Sequence, residues 1–174
     1  TSYGTGELLR DPLEKGFSRI VVGLGGSATN DGGMGAMRAL GARFLDGTGA
    51  ELEGCGQDLE QVQKIDLSGL HPRLRKAEIT VMCDVDNPLC GAEGATHTFG
   101  AQKGGTPEML ETLEAGMLNY RRVLAKTFGK DPQEICGGGA AGGLGAALAL
   151  FCGGRIRPGV ETVLDMLEFD RLLE

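Results

Sequence analysis

The sequence predicts an α/β fold: a domain with a mixed β-sheet, flanking helices and long glycine-rich loops. Three observations support this prediction. Short apolar segments with β-branched residues alternate with segments of helical periodicity. The chain has 31 glycines among its 174 residues, more than twice the usual share of roughly 7%. These glycines cluster between the predicted strands and helices without a regular period, so they indicate sharp turns or close approach to a ligand rather than disorder.

The first half of the chain alternates helices and strands around one glycine-rich segment. A helix is predicted over residues 7–15, ended by Gly16 in the usual stop position. The elements expected next are a strand at 20–22, a glycine loop at 23–35, a helix at 34–40, a strand at 42–45, a short helix at 57–62 and strands at 65–67 and 78–85. β-Branched residues alternate in the last of these, which is typical of a half-buried strand.

The second half begins with a long loop, predicted over residues 86–105, and loops of this length in compact domains are usually functional or disordered. A helix then starts at Thr106-Pro107-Glu108, where the residue types suit its cap and first turn, and it ends at Gly129. Its predicted buried stripe is Met109, Leu113, Met117, Tyr120 and Leu124. The elements expected after it are a glycine loop at 136–143, a helix at 144–151, an extended piece at 155–157 and helix at 160–173 with a break near Phe169.

Charge and composition exclude several classes of partner. The net charge is −7 and no basic stripe is present, so nucleic-acid binding is not expected. The longest apolar run, at 144–151, is too short to cross a bilayer, and no signal peptide is visible. The five cysteines form no C-x-x-C pair, and an odd count favours reduced thiols. We therefore expect a cytoplasmic protein without nucleic-acid or membrane partners.

The first candidate site is the glycine loop GGSATNDGG at 25–33. Its glycines let successive backbone N–H groups face one point, and the following helix adds its positive end, so the loop suits phosphate or carboxylate. The predicted contacts are Gly25, Gly26, Ser27, Thr29 and Asn30. Asp31 is a candidate catalytic residue, as acceptor of a substrate hydroxyl proton or as a ligand of Mg²⁺. The alternative is a structural strand-to-helix turn capped by Asn30 or Asp31.

The second candidate site follows the strand at 78–85. Alternation along that strand places Asp84 and Asp86 on the same side, and close carboxylates repel unless a cation lies between them. Mg²⁺ is the cation expected in phosphoryl transfer, so both are candidate metal ligands and Asp86 is also a candidate catalytic residue. Asn87 is a candidate ligand contact. The alternative is a turn in which Asp86 or Asn87 bonds its own backbone.

Two further glycine-containing segments complete the candidates. Lys103 lies between glycines ahead of a helix start, where its ammonium can meet an anion; we expect it to be catalytic, with Gln102 as a ligand contact. The alternative for Lys103 is a solvated surface lysine. Gly142 and Gly143 belong to the second glycine loop, which is either a second anion-binding nest or a site of close helix packing. His97 is a weaker candidate because it lies in the predicted long loop.

Together these segments resemble the bacterial glycerate kinase family. The resemblance is carried by GLGGSATNDGG at 23–33, CDVDNPL at 83–89, FG and QKG within 99–104, GAAGGLG at 139–145 and RPG at 157–159. It extends over essentially the whole chain, with a minor departure at Ala101, where the family more often has proline. It implies the fold of the family's second, inserted lobe. It also implies ATP-dependent phosphorylation of D-glycerate with Mg²⁺ in the cytoplasm.

The resemblance further implies that this chain is one part of a two-lobe kinase. Family members are about twice as long, and their terminal parts form a Rossmann-like lobe around a cleft. We therefore expect residues 1–174 to be a single domain, the middle lobe of a longer protein. The missing lobe would be its partner, and the isolated chain would be inactive. A non-catalytic domain that forms one wall of a small-anion site is the alternative. The division of ATP and glycerate between the loops stays open, as does the hydroxyl that is phosphorylated.

Overall fold

Five short strands form two separate sheets in the computed structural model, which describes residues 1–173. The strands are β1 (Arg19–Gly23), β2 (Arg43–Leu45), β3 (Lys64–Asp66), β4 (Glu78–Met82) and β5 (Arg155–Arg157). Parallel pairing gives the order β1–β4–β5, whereas β2 and β3 pair antiparallel. The predicted α/β class is confirmed. The parallel and antiparallel pairings expected of a mixed sheet are divided between these two sheets.

Helices flank both sheets. The α-helices are α1 (Tyr3–Glu14), α2 (Met34–Ala39), α3 (Ala95–Phe99), α4 (Pro107–Phe128), α5 (Ala140–Cys152), α6 (Gly159–Met166) and α7 (Phe169–Leu172). Single 3₁₀ turns lie at Gly56–Asp58, Pro72–Arg75 and Pro132–Glu134. The break predicted near Phe169 is confirmed, because Glu168 adopts a left-handed conformation between α6 and α7.

Four boundary predictions were wrong. The first helix starts at Tyr3 rather than at residue 7, and the short helix expected at 57–62 is a 3₁₀ turn. The strand expected to reach residue 85 ends at Met82. The long loop at 86–105 contains α3, which sequence reasoning missed because its five residues carry too little periodicity to register as a helix.

The core lies between the parallel sheet and the helices α2, α4 and α5. The inward residues of β1 and β4 are paired across the sheet, with Ile20 beside Ile79, and Ile79 is 1% exposed. Phe44 packs at 6.0 Å, centroid to centroid, from both Tyr120 and Phe151. This packing places the carboxyl ends of the parallel strands at an edge where two loops, at 24–33 and 83–89, leave the sheet.

The long helix α4 buries most of its predicted stripe. Met117, Tyr120 and Leu124 are fully buried, and Thr106 caps the helix by accepting from the backbone N–H of Met109. The side chain of Met109 is 56% exposed, contrary to prediction. The first turn of α4 therefore projects past the core, where it borders an open cavity.

The two C-terminal helices carry an exposed apolar surface, called here the C-terminal apolar face. Its members, all at least 38% exposed, are Val160, Val163, Leu164, Met166, Leu167 and Leu172. Only Thr162 of α6 is buried, so most of this helix is accessible to solvent. None of the helices within residues 1–173 combines the length and apolar character needed to cross a membrane.

Candidate functional site

The glycine loop between β1 and α2 is held in place by contacts from three other parts of the chain. The ammonium of Lys103 donates to the carbonyl oxygen of Thr29 at 2.7 Å. The side-chain amide of Asn30 donates to the hydroxyl of Thr96, on α3, at 3.1 Å. The backbone N–H of Gly32 donates to the carbonyl of Gly142 at 2.9 Å. The loop is thus pre-organised, as a binding loop needs to be.

A cavity of about 250 Å³ lies beside this loop and brings together four of the residues predicted from the sequence. Thr29, Asn30 and Asp31 form one wall, and Lys103 forms another together with the first turn of α4. The volume suits a small organic acid. Because a cation and a carboxylate border the same space, the cavity has the charges needed to bind an anion and to orient a hydroxyl group.

Asp31 is nearly enclosed at the back of this cavity, with 1% of its surface exposed. Its Oδ2 accepts from the backbone N–H and the hydroxyl of Ser2, at 2.5 Å and 2.9 Å, and its Oδ1 accepts from the backbone N–H of Gly33 at 2.9 Å. The contact to Gly33 forms the strand-to-helix turn that was the structural alternative for this residue. Asp31 therefore shapes the turn, and its catalytic role stays a prediction.

Lys103 is partly buried, and its charge is affected by that burial. Removal from water lowers the pKa of the Lys103 ammonium, and the nearby Asp31 carboxylate opposes this shift. The solvated-lysine alternative does not describe this side chain, because its ammonium is bonded to the Thr29 carbonyl 74 residues away. A cation held at the wall of a cavity is available to an incoming anion.

A second, more apolar cleft of about 520 Å³ opens at the carboxyl ends of β1 and β4. Gly25 and Asp84 line it, together with Val160 and Leu164 from α6. Gly25 is exposed, with no atoms within 4 Å of the position where a Cβ would stand. Of the other predicted contacts, Gly26 and Gln102 are exposed and Ser27 is half-buried.

The acidic pair after β4 is arranged differently from the prediction. Because the strand ends at Met82, strand alternation does not place Asp84 and Asp86 on one side. Asp84 accepts from the backbone N–H of Gly159 at 2.8 Å and so holds the start of α6. Asp86 is exposed. Asn87 donates its side-chain amide to the carbonyl of Glu93 and the hydroxyl of Thr98, rather than bonding its own backbone.

The donor set limits how Mg²⁺ could be held. Within residues 1–173, no three His, Cys, Asp or Glu side chains are grouped closely enough to hold a metal ion. Mg²⁺ usually keeps several waters and binds through one or two carboxylates plus substrate phosphates. Asp84 and Asp86 therefore do not belong to an all-protein metal site within these residues, and their binding of a nucleotide-held Mg²⁺ stays a prediction.

The second glycine loop packs against the first. Gly142 and Gly143 are buried with φ of 69° and 95°, and a Cβ on Gly143 would stand 2.7 Å from the Cα of Gly32. A Cβ on Gly142 would overlap the carbonyl oxygen of Thr29. This is the close-packing alternative, and a ligand contact by these two glycines stays a prediction.

Sequence reasoning missed Ser2 and Thr96. Each is buried and hydrogen-bonded to the glycine loop, Ser2 to Asp31 and Thr96 to Asn30. A lone serine before a helix and a threonine inside an assumed loop carry no periodic signal. Only their tertiary partners distinguish them from ordinary polar residues.

The fold and the two clefts define an α/β domain with a glycine-rich loop at the carboxyl ends of parallel strands, the usual place for a ligand in this fold class. The model of the glycerate kinase family matches residues 1–174, and the chain belongs to that family. It is 43% identical over 174 residues to a glycerate kinase of Bacillus subtilis (strain 168), covering 100% of this chain and 46% of the relative. It is 45% identical over 170 residues to a glycerate 2-kinase of Escherichia coli (strain K12), covering 98% and 45%.

A solved structure shows the same fold. The crystal structure assigned as glycerate kinase 2 from Salmonella typhimurium LT2 superposes with a TM-score of 0.94 at 50% identity, covering 97% of this chain and 45% of that one. The chain thus spans a little under half the length of the relatives it matches. More than half of each of these relatives lies outside the matched segment.

Proposed function

We propose that this chain is the middle lobe of a cytoplasmic glycerate kinase that transfers a phosphoryl group from ATP to a hydroxyl of D-glycerate. The observation that carries the proposal is the 250 Å³ cavity in which Asp31 and Lys103 border one space. Family membership supports the reaction class. The name of the Escherichia coli relative, a glycerate 2-kinase, supports the 2-hydroxyl as acceptor.

Glycerate occupies the smaller cavity in this proposal. Lys103 neutralises the substrate carboxylate, a role that its desolvated ammonium supports because a charge is stronger away from water. Asp31 accepts the hydrogen bond of the attacking hydroxyl and takes its proton as the new O–P bond forms. The bond between the γ-phosphorus and the leaving oxygen of ADP breaks in the same step.

The nucleotide occupies the larger cleft, beside Gly25. Exposed backbone N–H groups at Gly25 and Gly26, with the hydroxyl of Ser27, suit phosphate oxygens. Asp84 and Asp86 would hold Mg²⁺ together with those phosphates, and the ion would neutralise charge that develops on the transferring group. The apolar residues of α6 at this cleft suit a base or ribose surface.

The second lobe of the protein is the proposed partner. This chain carries both the cavity and the cleft, and it also carries the C-terminal apolar face. Large exposed apolar patches usually mark contact surfaces. The active cleft would close between the lobes, so the isolated chain is expected to bind ligands weakly and not to turn over. A domain that only binds a small anion is the competing function, supported by the cavity that Lys103 borders.

The test uses a hybrid enzyme in which this chain replaces the matching 174 residues of the Bacillus subtilis relative. We expect ATP-dependent phosphorylation of glycerate by the hybrid and none by the isolated chain. Asp31→Asn should lower kcat at least 10²-fold, the low end of an acid–base contribution. Asp11→Asn, an exposed aspartate on α1, is the control. An active Asp31→Asn hybrid with an intact thermal transition would refute the assigned role of Asp31.

A further inference from the structure

Ser2 is buried and makes two hydrogen bonds to Asp31, which an ordinary surface serine near a helix start does not need. Its side chain and backbone are 3% exposed, and both its hydroxyl and its N–H donate to Oδ2 of Asp31. The same hydroxyl accepts from the backbone N–H of Ala36 at 3.0 Å. Ser2 thereby connects the carboxylate to the first turn of α2.

These contacts leave Asp31 with little freedom. An ionised carboxylate has about four acceptor positions, and Ser2 occupies two of them while the N–H of Gly33 occupies a third. The remaining position is on Oδ1. Because the other three donors fix the plane of the carboxylate, the direction of that last position is fixed as well.

The packing around Ser2 is too close for a substitute contact to form easily. A Cβ on Gly35 would stand 2.7 Å from the backbone nitrogen of Tyr3 and 3.0 Å from Oδ2 of Asp31. The N-terminal segment can therefore approach Asp31 only because residue 35 is glycine. If the Ser2 hydroxyl is removed, the enclosed Oδ2 loses one of its two donors and the N–H of Ala36 loses its acceptor.

We propose that Ser2 is a positioning residue for the phosphoryl-transfer reaction, which fixes the plane of the Asp31 carboxylate and aims its free acceptor position at the substrate hydroxyl. The inference rests on the proposed function of Asp31. Loss of the Ser2 hydroxyl should therefore lower kcat, while KM for glycerate and the thermal transition change little. A purely structural serine would not produce this split.

The experiment compares Ser2→Ala with Ser2→Thr in the hybrid enzyme, with kcat, KM for glycerate and thermal melts measured for both. We expect Ser2→Ala to lower kcat on the order of tenfold, the loss typical of one hydrogen bond to a charged group. KM for glycerate and the thermal transition should change little. Ser2→Thr keeps a hydroxyl and should restore kcat. Thr48→Ala is the matched control, since the exposed Thr48 makes the same kind of hydroxyl–carboxylate bond to Asp46.

Separate outcomes distinguish this inference from the function on which it rests. An inactive Asp31→Asn hybrid together with a Ser2→Ala hybrid of unchanged kcat overturns the role of Ser2 alone. An active Asp31→Asn hybrid overturns both. If Ser2→Ala does not fold, Ser2→Cys retains the volume with a weak donor. A wild-type kcat in that variant then also overturns the inference.

Discussion

The glycine loop at 23–33 and the second glycine loop, at 136–143, are similarly rich in glycine, but the glycines predicted to contact a ligand lie in opposite environments. In the first, Gly25 and Gly26 are exposed, and open space surrounds the position of a Cβ at both. In the second, Gly142 and Gly143 are buried, and a Cβ at either would collide with the backbone of the first loop near its buried Gly32. Glycine thus exposes backbone N–H groups at 25–26 and permits backbone-to-backbone contact at 142–143.

The comparison shows that the buried loop supports the exposed one. The kink at the start of α5 places Ala141, Gly142 and Gly143 at positive φ, which lets the carbonyl of Gly142 accept from the N–H of Gly32. A non-glycine residue in this conformation costs roughly 1–2 kcal/mol. Ala141 adopts this conformation and therefore carries that energetic cost. The surrounding packing must stabilise the kink.

The largest effect is expected from Gly142→Ala. The new Cβ would overlap the Thr29 carbonyl and stand 2.7 Å from the Cα of Asn30, at a φ of 69°. Overpacking and the left-handed backbone together should reduce the free energy of unfolding by about 2 to 5 kcal/mol. Urea unfolding measures this change.

Gly153→Ala separates the two causes in that experiment. Gly153 has a similar φ of 64° but no atoms within 4 Å of its Cβ position. Gly153→Ala should lose only the contribution of the left-handed backbone, about 1 to 2 kcal/mol. Equal losses for both variants would contradict the proposed contact between the two loops.

The next effect concerns Lys103, which holds the exposed loop through Thr29. Lys103→Ala in the hybrid enzyme should raise KM for glycerate at least tenfold, if it removes one charge-assisted contact of about 1.5 kcal/mol or more. Lys130→Ala, an exposed lysine beyond α4, is the control and should leave KM unchanged.

The pH dependence of glycerate binding tests the same residue. Burial lowers the pKa of Lys103, so its charge is lost at a lower pH than that of an exposed lysine. Substrate affinity should therefore be fully present below that pKa and weaken as pH rises through it. Lys103→Arg keeps its charge at all accessible pH values, and the alkaline loss should disappear. An alkaline limb that persists in this variant would assign the titration to another group.

A smaller effect is expected at the acidic pair beside the exposed loop. Asp84→Ala removes the acceptor for the Gly159 N–H and should destabilise α6 by about 0.5 to 2 kcal/mol, the range of a lost helix cap. Asp86 is exposed, so Asp86→Asn should leave stability within about 0.5 kcal/mol. It should instead raise the Mg²⁺ concentration needed for half-maximal rate in the hybrid. Thermal melts and Mg²⁺ titrations of both variants measure these outcomes.

The smallest change in stability is expected from Gly25→Ala. No neighbouring atoms limit a Cβ there, so the free energy of unfolding should change by less than about 0.5 kcal/mol. The methyl group would nevertheless stand beside the proposed phosphate-binding N–H groups, and KM for ATP should rise. Unaltered kinetics would show that the exposed glycines do not approach a ligand closely.

Local patterns in the sequence determined most of the elements of this protein and its family. A short apolar run located β1, and alternation of β-branched residues located β4. Cap signals at Thr106 and Gly129 bounded α4. All these features depend on neighbours a few residues apart. The five linked motifs were sufficient to indicate the glycerate kinase family, which the family model confirms.

Tertiary structure alone decided which loop is open and what holds it. The sequence offered the same glycine-rich pattern twice, and whether a glycine faces solvent or another backbone depends on contacts such as Thr29 with Gly142, 113 positions apart. The hydrogen bonds that link Ser2 and Thr96 to the first loop join residues that are far apart in the sequence, by 29 and 66 positions respectively. Pairings of this kind arise from the packing of α2, α3 and α5 around a shared core, and no periodicity within a segment records them.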